Sequence, residues 1–185
     1  MTNGPYQVVY ADPPWSYYAK APPTDWRPYR DRGEHPQCAD HYYDTMSTVE
    51  ICALSPSVAT NAVLFLWTTN PMLPDSLDVL RAWGFAYKTC ITWHKLRCKG
   101  MGYWFRGHTE HLLLGVRGKV KAFRSSHHNI LALPIHGHSE KPLRFVEIIE
   151  EVTAGMSPRL EMFGRLPRPG WDLLGNQVRS DLLTA

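Results

Sequence analysis

The residues best suited to chemistry in this chain are four in a row, Asp12-Pro13-Pro14-Trp15, placed directly after the apolar run Tyr6-Gln7-Val8-Val9-Tyr10-Ala11. Each proline fixes φ and removes a backbone N–H. The carbonyls of Asp12 and Pro13 and the Asp12 carboxylate therefore form a rim that only accepts hydrogen bonds. An exocyclic amine has two hydrogens to give to such a rim, and the face of Trp15 is expected to stack on the flat ring that carries it. At an average proline usage of about 5%, adjacent prolines arise by chance at about one position in 400, and the flanking acid and aromatic make coincidence rarer. The plainer alternative is a strand that ends in a stiff surface turn, which X-Pro-Pro also encodes.

A second cluster lies in Lys95 to Gly107, where Lys95, Arg97, Lys99 and Arg106 are mixed with Tyr103, Trp104 and Phe105. Cations that pair phosphates and rings that stack on bases suit a nucleic-acid strand, while a solvated hairpin connection is the competing reading. Gly100-x-Gly102 within it is a weak phosphate-loop signal, because no helix pattern follows. The stretch from Ser16 to Tyr43 is long, rich in Pro, Arg, Tyr and Asp, and without periodicity, which fits a binding loop or a disordered segment. The cluster His35-x-x-Cys38-x-x-His41 and the group His127, His128, His136 and His138 lack a standard ligand spacing, so no metal site is expected. Cys38, Cys52, Cys90 and Cys98 have no CxxC pair and are expected to be reduced thiols.

These candidates need elements to position them. Tyr6 to Ala11 reads as a buried strand with Asp12 just past its end. Ser47 and Glu50 form a capping-box pattern ahead of a short helix that Pro56 limits. Ala62 to Trp67 is apolar enough for a strand covered on both faces. Pro74 opens a helix with Leu73, Leu77, Leu80 and Trp83 on one stripe, and Gly84 stops it. Phe85 to His94 alternates as a strand, with Phe85, Tyr87, Thr89, Ile91 and Trp93 on one side, and His111 to Val116 follows as another. Ser139 and Pro142 start a helix carrying Phe145, Ile148, Ile149 and Val152, and Arg159 to Phe163 is a last strand that ends at Gly164. Strands alternating with helices predict an α/β fold with a mostly parallel sheet and helices on both faces. Such sheets bind ligands beyond the carboxyl ends of their strands.

Composition narrows the function classes. In 185 residues, 44% are hydrophobic and 20% charged, which is the balance of a globular protein, not of a disordered or fibrous one. The net charge of +3 permits a polyanionic partner without requiring one. No apolar stretch approaches the roughly 20 residues that span a bilayer, and no signal-peptide pattern opens the chain, so a cytoplasmic protein is expected.

With these pieces placed, the chain resembles the DPPW family of adenine N(6)-methyltransferases, in its bacterial and phage DNA-modifying branch. Besides Asp12 to Trp15, the resemblance rests on His41-Tyr42-Tyr43-Asp44-Thr45-Met46, Leu66-Trp67, Trp83-Gly84-Phe85, Gly100-x-Gly102, Glu110-His111, Ser139-Glu140-Lys141-Pro142, Leu160 to Arg165, Gly170-Trp171 and Gly175-Asn176-Gln177. It implies one methyltransferase domain over residues 1–185, Rossmann-like with permuted motif order, and S-adenosylmethionine as methyl donor. It implies catalysis by Asp12, Pro13, Pro14 and Trp15, donor contacts from Asp12, Lys141, Arg165, Asn176 and Gln177, and no metal. Substrate contacts would come from Tyr43, Arg97, Lys99, Tyr103, Trp104, Arg106, Glu110 and Ser139, on loops 16–40 and 95–107 that close around an adenine turned out of its stack. Leu66, Trp67, Trp83 and Phe85 are expected to be packing residues.

DNA is the expected substrate because no RNA-binding module is appended. The alternatives are an RNA adenosine methyltransferase and an inactive, partner-binding relative, and a homodimer or heterodimer is compatible with each. Two departures from the family stand out. Few residues precede the catalytic strand, where longer members carry a segment that helps hold the donor adenine. Leu166-Pro167 replaces a His-Asn pair, so part of the ribose contact is expected to be lost or taken over by Arg168.

Overall fold

The computed structural model describes residues 4–17, 45–100, 104–137 and 140–175. Its centre is β1 (Tyr6–Ala11), the apolar run ahead of the prolines, with Val8, Val9 and Ala11 fully buried. It is joined by β2 (Val58–Thr69), β3 (Ala86–Leu96), β4 (Thr109–Arg117), β5 (Ile130–Pro134), β6 (Arg159–Met162) and β7 (Asp172–Leu174) in one sheet of order β5-β3-β4-β2-β1-β6-β7. The β1–β2, β1–β6, β6–β7 and β3–β5 pairs are parallel, whereas β4 is antiparallel to both β2 and β3. Only β4 thus runs against the rest, as a mostly parallel sheet requires.

Among the described residues, three α-helices cover both faces. α1 (Thr48–Ala53) starts at the expected capping box, with Glu50 N–H donating to Ser47 Oγ and Ser47 N–H to Glu50 Oε2. α2 (Leu73–Ala82) follows a 3-10 turn, Asn70–Met72, and ends at Gly84, whose φ of +79° suits a residue without Cβ. Ile51, Val79 and Leu80 from these two helices pack on Val9, Leu64, Leu66 and Leu160. On the opposite face, α3 (Leu143–Val152) sets Phe145, Val146 and Ile149 against Val8, Tyr10, Phe65 and Trp67. Alternate residues of β1 and β2 thus serve two separate cores, which is why both strands read as continuous apolar runs.

Three expectations are corrected. In α2, Leu73 is exposed, and the buried positions are Asp75, Ser76, Val79 and Leu80. The polar pair is accommodated because Ser76 Oγ donates to the Met72 carbonyl at 2.8 Å and Thr48 Oγ1 donates to Asp75 Oδ1 at 2.7 Å. An apolar count alone could not see that. In β3, a register shift between Tyr87 and Thr89 interrupts the alternation, so Phe85 joins the α2-side core while Ile91 and Trp93 lie on the α3 side. Finally, β3 and β4 extend further toward each other than expected, which turns Lys95 and Glu110 into strand residues at the base of a hairpin. Among the described residues, no helix is long and apolar enough to cross a membrane, and no metal-binding group of His, Cys, Asp or Glu is assembled.

Candidate active site

The chain leaves β1 at Ala11 and turns at once through the tetrapeptide. Asp12 N–H donates to the Met162 carbonyl at the end of β6, and Trp15 N–H donates to the Pro13 carbonyl at 2.9 Å, closing a tight turn. The segment ahead of α1 fastens the turn from outside: Met46 N–H donates to the Pro14 carbonyl at 2.8 Å and Ser16 N–H to the Met46 carbonyl at 2.9 Å. Trp15 fastens it from beneath. Its ring is buried in the α1/α2-side core and its Nε1 donates to the Trp67 carbonyl at 3.1 Å. The expectation of Trp15 as an open stacking face is therefore corrected. The ring anchors the turn, because a buried indole that has found its acceptor is held in place. Pro13 and Pro14 are also buried, and the Asp12 side chain, 33% exposed, is what the turn presents outward.

The carboxylate of Asp12 begins a chain of alternating charges. Lys141, just before α3, donates from Nζ to Asp12 Oδ2 at 2.8 Å and lies 3.4 Å from Glu110 Oε2. Glu110, at the start of β4, is paired in turn with Lys95 near the end of β3. Each ammonium also sits over an indole, Lys141 at 5.3 Å from the Trp67 centroid and Lys95 at 5.1 Å from that of Trp93. Trp67 is itself fixed by donating from Nε1 to the Tyr10 hydroxyl at 2.7 Å. Four elements far apart in sequence thus meet at the carboxyl end of the central strand. Lys95, expected to face phosphate, instead faces Glu110.

The protonation of this chain follows from burial and neighbours. Burial pushes the Asp12 carboxyl above its ordinary value, and the Lys141 ammonium opposes that push. Burial would lower Lys141, but the carboxylates of Asp12 and Glu110 outweigh it and hold the ammonium firmly charged. Burial would raise Glu110, yet Lys141 and Lys95 together keep its carboxyl below the usual range.

On the far side of Asp12, the turn after β6 carries Arg165, an exposed residue whose charge acts on the Asp12 carboxyl and favours its ionised form. Gly164 lies in that turn, where a Cβ would sit 2.5 Å from Leu173 Cδ1 and push that side chain aside. Arg168 donates from Nε to the buried Glu161 at 3.1 Å, so its guanidinium already has a carboxylate partner. Beyond the hairpin base, Arg97, Lys99 and Arg106 are exposed, and Trp104 and Phe105 are 91% and 90% exposed. Gly100 is required there for packing, since a Cβ would sit 2.6 Å from His108 Cδ2, which accounts for the glycine without a phosphate loop.

Tyr43, Tyr103, Ser139, Asn176 and Gln177 lie outside the described residues, as do most of the expected loop 16–40 and the cluster His35, Cys38 and His41. The fold also assembles a polar group at the same end of the sheet. His111 Nε2 lies 2.7 Å from Asn70 Oδ1 and its Nδ1 3.1 Å from Thr92 Oγ1, while Asn70 Nδ2 donates to Thr109 Oγ1 at 3.1 Å. Among these residues the sequence marks only His111, within the Glu110-His111 match.

The MT-A70 family model matches residues 6–177, which includes every element of this site. The chain belongs to the MT-A70 family. MT-A70 proteins are methyltransferases that use S-adenosylmethionine. The chain is 32% identical to the Type II methyltransferase M.MunI of Mycoplasma sp, over 94% of this chain and 78% of that protein. It is 28% identical to an N(6)-adenosine-methyltransferase MT-A70-like protein of Drosophila melanogaster and 27% identical to the human N(6)-adenosine-methyltransferase catalytic subunit METTL3. Those two matches cover 95% of this chain but only 27% and 28% of the longer proteins.

Proposed function

We propose that this MT-A70 chain, as one catalytic domain, transfers a methyl group from S-adenosylmethionine to the exocyclic N(6) amine of adenine in DNA. The observation that carries the reading is the Asp12 carboxylate, presented at the carboxyl end of the central strand by a buried Pro-Pro-Trp turn and held by Lys141. DNA comes first because the likeness to the Type II methyltransferase is higher in identity, and in the share of the relative's length that it covers, than the likeness to the N(6)-adenosine methyltransferases.

The residues present fit the donor. Its methionine end carries an ammonium beside a carboxylate, and here a partly open carboxylate, Asp12, is flanked by the cations Lys141 and Arg165. Asp12, Lys141 and Arg165 would hold that end, with Asn176 and Gln177 on the ribose or adenine. When bound, the donor supplies a methyl group already activated by its sulfonium.

The protein's part is then alignment and charge. One oxygen of Asp12 is held by Lys141, which leaves the other to accept from the target amine. The Pro13 carbonyl accepts one bond from Trp15 N–H and keeps a second lone pair for the same amine. Accepting both hydrogens draws the nitrogen lone pair out of conjugation with the ring. Fixing nucleophile against electrophile can lower a barrier by up to about 7–11 kcal/mol in ideal cases. As positive charge arrives on the nitrogen, the preorganised Asp12 carboxylate stabilises it.

Two expected outcomes follow. Asp12 acts as the carboxylate, so kcat/KM rises with pH as Asp12 ionises; because burial raises that carboxyl, the acidic limb lies above the ordinary aspartate value of about 3.9. A profile flat down to pH values below that figure would contradict the assignment. Replacing Arg97, Lys99 and Arg106 together should weaken DNA binding and reduce its log–log salt slope by up to about 2.7, at about 0.9 per phosphate contact. Fluorescence anisotropy with labelled duplex across a salt series reads this, and an unchanged slope would remove the hairpin tip from the DNA interface. The function itself is tested by incubating the protein with methyl-tritiated donor and either DNA or RNA. Label in DNA supports the reading, label in RNA alone supports an RNA adenosine methyltransferase, and label in neither overturns both.

A further inference from the structure

Trp104 and Phe105 are the most exposed rings among the described residues, on a protein whose other tryptophans there are buried. Two adjacent aromatic residues held almost wholly in water at a hairpin tip have no packing explanation, and exposed apolar groups of this kind mark contact surfaces. Their surroundings say what kind. Residues 97–108 contain Arg97, Lys99 and Arg106 and no Asp or Glu, so the tip complements a polyanion. The hairpin's base ties the tip to the site: Lys95 N–H donates to the His108 carbonyl at 2.8 Å, and Glu110 in the same strand touches Lys141, which holds Asp12. Trp104 is six residues from Glu110 along the chain, hence at most about 20 Å away. That reach spans the few base pairs around whichever base occupies the site.

We propose that Trp104 and Phe105 form a wedge that enters the base stack of duplex DNA at the gap left when the target adenine turns out toward Asp12. The proposal rests on the reading of the site as an adenine methyltransferase acting on DNA. Its physical basis is the cost of extrusion: a paired base cannot reach Asp12, and unstacking it opens apolar surface that a ring of similar width can refill. Arg97, Lys99 and Arg106 hold the flanking phosphates while the rings enter. A single strand has no such gap, so the wedge acts on duplex alone.

The test uses the double variant Trp104→Ala/Phe105→Ala and the swap Trp104→Phe/Phe105→Trp, with donor affinity and circular dichroism as controls for folding. Methyl transfer is measured on genomic duplex DNA, and affinity on a fluorescein-labelled single-stranded oligonucleotide. The alanine pair is expected to lower transfer to duplex at least tenfold while single-strand affinity changes less than twofold, and the swap, which keeps two rings at the tip, is expected to lose less than the alanine pair. A loss below tenfold, an equal loss of single-strand affinity, or loss of binding to phosphatidylserine vesicles with transfer intact would overturn the wedge. Wild-type protein that methylates no DNA would instead overturn the reading beneath it.

Discussion

Asp12→Asn is expected to lower kcat/KM by about 10²–10³, the loss of about 3–4 kcal/mol seen when one preorganised group is taken from a developing charge. The amide keeps the size of the carboxylate and so leaves the buried turn of Pro13, Pro14 and Trp15 undisturbed. It changes what the turn presents: a neutral group replaces the charge that Lys141 holds and that, in the proposed reaction, would stabilise the target nitrogen. Fold stability should change little by comparison, because Lys141 keeps Glu110 3.4 Å away. Donor affinity should fall in part, since Asp12 is also assigned to the donor's ammonium. Retention of more than a tenth of wild-type kcat/KM, a barrier change under about 1.4 kcal/mol, would remove Asp12 from the chemistry.

Lys141→Met should affect both activity and stability. The ammonium lies between two carboxylates, its side chain only 13% exposed, so removing it leaves Asp12 facing Glu110, with Lys95 beside Glu110 and the charge of Arg165 still acting on Asp12. Breaking a buried pair by deleting one member costs about 3–5 kcal/mol, which for a chain of this length is a fall in Tm on the order of 10 °C. The pH dependence fixes the cause. Glu110 is held below its ordinary value in the intact protein, so its stabilising contribution is present above the unfolded pKa and fades as pH falls through the lower folded one. The raised Lys141 contributes at neutral pH and below, and loses its charge only in strong alkali. The gap in Tm between wild type and Lys141→Met should therefore be wide at pH 7 and narrow toward about pH 4, as the carboxyls take up protons. A gap that stays constant in acid would mean that the lysine contributes packing against Trp67 and not charge.

The central strand and its acid were legible because they are local. An apolar run followed by Asp-Pro-Pro-Trp needs no knowledge of distant residues, and the same is true of the Ser47–Glu50 capping box and the glycine stop of α2. What the sequence obscured was decided by neighbours across the sheet. Trp15 looked like an open face, but the carbonyl of Trp67, 52 residues away, captures its indole N–H. Lys95 looked like one of four loop cations until the β3–β4 ladder set it beside Glu110. On α2 the stripe holds at Leu77, Leu80 and Trp83 but not at exposed Leu73, while Asp75 and Ser76 are buried because hydrogen bonds that no hydrophobic count registers satisfy them. Residue types and motif order therefore picked out Asp12, Lys141 and Glu110, which the fold gathers at the end of β1, and pairing across strands decided which neighbours each side chain meets.

The most direct test of this account is to incubate the wild-type protein with DNA and donor carrying a deuterated methyl group, digest the DNA to nucleosides and identify the product by mass spectrometry. The account predicts deuterated N(6)-methyldeoxyadenosine, absent when Asp12→Asn replaces the wild type. Label on cytosine, or label on adenine that persists with Asp12→Asn, would contradict it.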